Sequence, residues 1–190
     1  MARGNSSYFH YIHFIAKRQR GFTLLELVIA VSVMSIMLAM AAPSLSNLIA
    51  SQNIKRLATE LEWIMVQAKS EAVMRGANTK LHYISVNTTP SSINNWSIVL
   101  RDNAGDQLSS ISSESFSNIK ICRTFTSANT EFKSRDGRPK DSGGIVFYID
   151  SAKQIKVLTN NLTGRIYTCS IGADNYGFKA CPSSGVSSCV

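Results

Sequence analysis

The chain has 190 residues, 44% of them hydrophobic and 17% charged, with a formal net charge of +8. That length suits one anchor plus one modest domain, and no internal repeat is visible. Four of the positive charges, Arg3, Lys17, Arg18 and Arg20, stand ahead of Gly21 with no acid among them; without those four the charge falls from +8 to +4, mildly basic and compatible with a polyanionic partner without identifying one. There is no H-E-x-x-H, no G-x-S-x-G and no Gly-rich phosphate loop, so nothing points to catalysis, a cofactor or a metal site.

Residues 1–21 read as a leader. Its aromatic stretch Tyr8–Phe14 carries no functional reading, and His10 and His13 are discounted as ligands because cleavage would remove them. After Lys17-Arg18-Gln19-Arg20-Gly21 comes an apolar run of about twenty residues ending at Ala42, long enough to span a bilayer as a helix. Glu26 is its one charge. A carboxylate there costs roughly 2.5–3.5 kcal/mol on insertion scales, which marks a functional candidate. Three readings compete for the run: a plain transmembrane anchor with its basic flank in the cytoplasm, a secretory signal peptide cut after Ala39-Met40-Ala41, and a specialised signal centred on Gly21, Phe22 and Glu26. Against the second, the run is longer than a usual signal core and the amphipathic pattern continues past Pro43.

The helix is expected to continue beyond Pro43, which can kink it without ending it. Leu57, Leu61, Ile64, Ala68 and Ala72 form an amphipathic stripe, with Lys55, Arg56, Glu60, Glu62, Lys69 and Glu71 off it. Arg75-Gly76 is the expected stop. From Phe22 to Arg75 the helix would be roughly 80 Å long at 1.5 Å per residue.

Beyond Gly76 the period shortens. Strands are expected at Lys80–Val86, Trp96–Leu100, Ile119–Cys122, Gly144–Ile149, Gln154–Leu158 and Arg165–Cys169, with a hairpin turn over Asp150–Lys153. One long helix followed by an antiparallel sheet is an α+β architecture. The tail from Gly172 is expected to be irregular and tied down by cysteines. Cys122, Cys169, Cys181 and Cys189 all follow the apolar run. In an exported domain an even number favours two disulfides with three possible connectivities; the first choice is Cys181–Cys189 with Cys122–Cys169 between strands. No C-x-x-C spacing points to zinc or thioredoxin-like chemistry. His82, the one histidine after the leader, reads as a packed or surface strand residue. Trp63 and Trp96 read as core or helix–sheet packing.

Gly21, Phe22 and Glu26 at the head of an apolar helix resemble the class III signal of type IV pilins and pseudopilins. The resemblance implies cleavage between Gly21 and Phe22 by a prepilin peptidase and N-methylation of Phe22. Glu26 could then pair with the Phe22 amine of a neighbouring subunit, since two charges in lipid are tolerable when paired. The chain would divide into a leader (1–21), a transmembrane and assembly half-helix (22–42), an amphipathic half-helix (43–76) and an antiparallel β head with a disulfide-bearing tail (77–190). A second resemblance is carried by Ser70–Gly76, Trp96–Asp102 and Gly164-Arg165-Ile166-Tyr167. These are similar to segments of the GspH/FimT family, which covers H-type pseudopilins of type II secretion and FimT/FimU minor pilins. It implies a head of two small antiparallel sheets and a place at or near a filament tip. The expected partners are other major or minor pilins or pseudopilins, prepilin peptidase and the inner-membrane assembly platform. The expected location is the bacterial inner membrane, single-pass, with the head in the periplasm and then on a surface filament. Some FimT-like proteins bind DNA through Gly-Arg-x-Arg. Gly164 and Arg165 match, but Tyr167 stands where the second arginine would be. A separate basic cluster, Lys133, Arg135, Arg138 and Lys140, is diluted by Asp136 and Asp141.

Overall fold

The computed structural model describes residues 21–91 and 94–182, and of residues 41–44 the backbone alone. The leader up to Arg20, and Cys189, lie outside the described residues. Two compact units divide after Pro43 and are taken in turn.

The first unit holds the beginning of helix α1 (Leu24–Arg75), whose backbone is helical through Pro43. The helix start has a cap that the sequence reading passed over. Thr23 Oγ1 accepts a hydrogen bond from the Glu26 amide at 3.2 Å, and Thr23 O accepts from the Leu27 amide at 3.2 Å. Thr-x-x-Glu is a capping pattern, and a carboxylate in the first turn also complements the helix dipole. Apolar side chains from Phe22 to Met40 stand open on all sides, with Leu24 at 83% exposure. Among the described residues no single helix is long and apolar enough to cross a membrane; Leu24–Met40 and Leu45–Arg75 meet that requirement only together.

In the second unit α1 is the cover for two sheets. The expected stripe is fully buried: Leu57, Leu61, Ala68 and Ala72 are out of solvent, joined by Ile54, Ala58 and Met65. Each leucine so buried contributes roughly 1.5–3 kcal/mol. The helix ends at Arg75, and Gly76 follows at φ +61°, the left-handed conformation that glycine adopts without a Cβ penalty.

Among the described residues eight strands follow. β1 (Thr79–Ile84), β2 (Ser97–Arg101), β3 (Gln107–Ser112) and β5 (Asn129–Phe132) form one sheet in the order β3-β2-β1-β5. β4 (Lys120–Arg123), β6 (Gly143–Tyr148), β7 (Ile155–Thr159) and β8 (Ile166–Ser170) form the other, in the order β4-β6-β7-β8. Every pairing is antiparallel. This is the expected α+β architecture, a long helix packed on antiparallel sheets. Six strands fall where alternation placed them; β3 and β5 are additions. The hairpin at Asp150–Lys153 is closed by a bond from the Lys153 amide to Asp150 O.

One core joins the elements. Leu81, Ile98 and Leu100 from the first sheet and Ile121, Phe147 and Val157 from the second meet the helix stripe. Trp96 is buried as expected and donates Nε1–H to Ile119 O at 3.2 Å. Trp63 corrects the expectation: it is 67% exposed. Its position two residues from Leu61 turns it about 200° around the helix, onto the opposite face.

The disulfide pairing also needs correcting. Cys169 is bonded to Cys181, and Cys122 is itself disulfide-bonded, so neither Cys122–Cys169 nor Cys181–Cys189 forms. The register explains why. Cys122 lies opposite Val146, Val146 opposite Lys156, and Lys156 opposite Cys169. Three strand spacings separate the two cysteines by about 14 Å, twice what a disulfide reaches. The chain returns instead to the edge of β8, where the Ser170 amide donates to Lys179 O and the Cys181 amide to Ser170 O, both at 2.8 Å.

The turn Lys133–Arg138 presses on the helix at Gly137. Its φ is +66°, and a Cβ there would stand 2.6 Å from Lys69 Cγ and 3.1 Å from Lys69 O. Gly137→Ala is therefore expected to lower stability by about 1–3 kcal/mol, read as a shift of the urea midpoint at unchanged slope.

Candidate functional site

Two regions hold the residues singled out from the sequence. The first is the head of α1. Phe22 precedes the helix by two residues and is exposed, and Glu26 occupies the third helical position on the cap just described. Thr23 is the residue missed there, although Thr-x-x-Glu stood in the sequence. The arrangement fixes the Glu26 backbone and leaves its carboxylate exposed, one helical turn from the position an amine on Phe22 would take after cleavage at Gly21.

The second region is on the head. Gly164-Arg165 and the cluster Lys133–Lys140 are separate in sequence, and the fold brings one member of each together. A Cβ on Gly164 would lie 3.2 Å from Arg138 Cγ and 3.5 Å from Lys69 Nζ. Lys69 Nζ donates to Gly164 O at 3.3 Å. Lys69, read only as an off-stripe polar residue, is thus the link between the helix and the β7–β8 turn. That turn is closely held: Asn160 Oδ1 accepts from the amides of Leu162 and Thr163 at 2.8 and 3.0 Å, and the Gly164 amide donates to Asn160 O at 2.8 Å.

Beside this junction lies an open groove of about 630 Å³ lined by Val66, Lys69, Ser70, Val73, Met74, Gly164, Arg165 and Ile166. Its floor is apolar, its two charged residues are cations, and it carries no carboxylate. Tyr167, in place of a second arginine, lies under Arg165, whose guanidinium carbon is 5.3 Å from the ring centroid. That stacking is a cation–π contact, worth about 0.5–1 kcal/mol at an exposed site.

Lys133, Arg135, Arg138 and Lys140 are all exposed. Asp136 sits among them, 3.7 Å from Arg138 Nε and 3.9 Å from Arg135 Nη2. A backbone bond from the Arg138 amide, with the neighbouring cations, holds its carboxyl below the ordinary value. The loop therefore neutralises part of its own charge.

His82 pairs across the ladder with Val99 on β2 and with Asn129 on β5. Burial, with Arg101 and Lys80 nearby, holds its imidazole below the ordinary value of 6.5. The unfolded chain takes up that proton first. Stability from His82 is therefore complete above about pH 6.5 and is lost as the pH falls from there toward the lower folded value. His82→Gln should flatten this dependence: its urea midpoints at about pH 7.5 and about pH 5 should lie closer together than those of the parent.

Residues 16–42 match the family model of the prokaryotic N-terminal methylation motif, the type IV pilin-like prepilin signal. No curated protein and no solved structure matches the chain. The match covers the cleavage position, Phe22, Glu26 and the apolar helix together. It supports a type IV pilin-like protein processed by prepilin peptidase and anchored in the inner membrane through its N-terminal helix. It points to a structural, non-enzymatic role.

Proposed function

We propose that the chain is a minor pilin or pseudopilin. Prepilin peptidase cuts it between Gly21 and Phe22, and the product is drawn from the inner membrane into a filament or its tip complex. The observation that carries this reading is the methylation motif over residues 16–42, joined to an apolar helix from Leu24 to Met40 that nothing in its own unit covers. Exposed apolar surface on that scale belongs against lipid or against other helices.

Within that reading, the Phe22 amine and the Glu26 carboxylate of adjacent subunits pair, and the pair sets the axial register. Breaking a pair of charges in a low-dielectric setting is far costlier than never having had one, because the remaining charge is stranded. The GspH/FimT resemblance supports a place at or near the tip. The tail stapled by Cys169–Cys181 favours a pilus minor pilin over the H-type pseudopilin of a secretion system. The head, with its periplasmic then surface location, is the part that meets specific partners. DNA is one candidate ligand through Gly164, Arg165 and the Lys133–Lys140 loop. The convergence of Arg138 with Gly164 supports it, and the Asp136 ion pairs weigh against it.

Mass spectrometry of the protein from its native membrane should give an N-terminus at methylated Phe22. Glu26→Ala should reduce filament incorporation by about tenfold or more while leaving the melting temperature of the head unchanged. Normal filaments from that variant, or a start at Ala42, would sink the reading.

A further inference from the structure

A sheet ends in two edge strands, and each edge carries backbone donors and acceptors with no further ladder to join. The two sheets have four such edges, β3, β5, β4 and β8. The chain covers three of them itself. Along β5 the Lys140 amide donates to Glu131 O at 2.8 Å and the Lys133 amide to Arg138 O at 3.0 Å. Along β4 the Ser91 amide donates to Ile121 O at 2.9 Å and the Arg123 amide to Asn87 O at 2.8 Å. At β8 the returning chain joins Ser170. On β3 the Ser113 amide donates toward β2, to Trp96 O at 3.0 Å. Alternation from that bond turns the N–H and C=O of Ser112 and Ser110 outward, and among the described residues no hydrogen bond reaches them.

This fourth edge is also unguarded. Solvent-facing edges are commonly protected by charge or proline, and Gln107–Ser112 contains neither. Ser109, Ser110 and Ser112 are small enough to let another strand come close. Glu60, Trp63, Ile64 and Gln67 of α1 face β3 across a cleft of about 230 Å³. That is below the roughly 300–1,000 Å³ of small-molecule sites and suits a single side chain. A strand added to an open edge gains affinity from backbone bonds and selectivity from pockets for alternate side chains.

The charges around the edge decide which strand fits. Glu60 is the charged residue lining the cleft, with Arg56 at 2.9 Å from it. Glu62 lies on the other side of Trp63 and accepts from Thr168 Oγ1. At the two ends of β3, Asp106 and Glu114 are exposed. The cation beside them, Arg101, donates to Gly105 O at 2.8 Å. The border is thus mildly acidic, and it favours an uncharged or basic segment over an acidic one. A second copy of β3 laid antiparallel in the centred register would set Gln107 against Ser112 of the copy. That brings Asp106 beside Glu114 of the copy, like charges in a destabilising position.

We infer that β3 is a docking edge of the head and takes an extended segment of a different protein as a fifth strand of the first sheet. The segment is uncharged or basic and carries an apolar side chain for the cleft beside Trp63. The inference concerns the head alone and is independent of the filament reading.

The test places a photo-crosslinking amino acid at Gln107 or at Ser112 of the full chain in its native cells and maps the crosslinked peptides by mass spectrometry. Both positions should reach one segment of the same other protein, at sites about five residues apart, as a paired strand dictates. That segment carries no Asp or Glu across the span. Ser110→Pro removes the outward N–H and leaves the β2 ladder whole, since proline is tolerated at an edge. It should cut the yield about tenfold, the loss of one backbone bond, at an unchanged melting temperature of the head. Where the proline itself lowers the melting temperature, an α-hydroxy acid at position 110 removes the same N–H without fixing φ and should give the same loss. Asp106→Lys with Glu114→Lys should lower the yield about threefold or more, whereas Asp106→Glu with Glu114→Asp should retain it. Crosslinks to a second copy, to residues 183–190 of the same chain, to an acidic segment or to scattered sites would overturn the inference. So would no crosslink at all, or a yield that the changes at Ser110 leave unaltered. Filament incorporation scored in the same cells stays normal in each of those outcomes if the filament reading is right, so the two fail separately.

Discussion

The burial of one helix face by two sheets is the constraint from which the head follows. Neither sheet bonds to the other through a shared ladder; each carries its own strand order, and what they have in common is α1. Small antiparallel sheets need a cover for their apolar sides, and here a helix supplies it. Leu57, Leu61, Ala68 and Ala72 give that cover to both at once. The small side chains at 68 and 72 let the chain approach closely where Thr79 Oγ1 donates to Ala68 O at 2.8 Å, a buried bond that ties the first strand directly to the helix. The polar groups at the margins do related work. Glu62 accepts from Thr168 Oγ1 on β8, and Arg75 bridges to Asp102 at 3.5 Å beyond β2. The helix is thus tied at its edges to both sheets.

The same economy explains how the passage between sheets is held. Arg123, the last residue of β4, donates from Nε to Val86 O at 2.9 Å. From Nη1 it donates to Phe125 O, Thr126 O and Ser127 O at 2.6, 3.0 and 2.7 Å. One guanidinium bonds three carbonyls of the β4–β5 loop and one of the β1–β2 connection, segments that are neither helix nor strand. Chain entering β5 is therefore shaped by a side chain belonging to the other sheet. Charge of this kind is spent inside the fold.

Much of this was legible in the sequence, for definite reasons. The helix stripe is legible because its period is set by burial against one continuous surface, and Gly76 because a helix end needs a left-handed residue. The central strands alternate or run apolar because both their neighbours and their faces are buried. β3, Gln107–Ser112, and β5, Asn129–Phe132, are edge strands of the first sheet with few inward apolar positions, Ile111 in one and Phe132 in the other. Their pairing is backbone hydrogen bonding, which side-chain patterning does not encode. Trp63 was misread by residue type, although its spacing from Leu61 placed it on the far side of the helix. The disulfide was misread because cross-strand distance depends on strand order, which one sequence does not reveal. Arg138 and Gly164 come together through the fold, which sequence separation does not reveal. At the N-terminus the reverse holds: Gly21, Phe22 and Glu26 were picked out by local spacing alone, within the span of the matched motif, and the Thr23 cap could have been read beside them.

The order of the strands along the chain has one more consequence. The backbone passes between the sheets three times, from β3 to β4, from β4 to β5 and from β5 to β6, so that each sheet receives a strand in the middle of the other's run. The first sheet is incomplete until β5 has been laid beside β1, some fifty residues later in the chain. By then β4 already waits for β6. Neither sheet can therefore be a folding unit by itself. Completing the head takes long-range closure in both sheets, and a chain that stops between β4 and β5 is left with two unfinished sheets and the exposed edges of both.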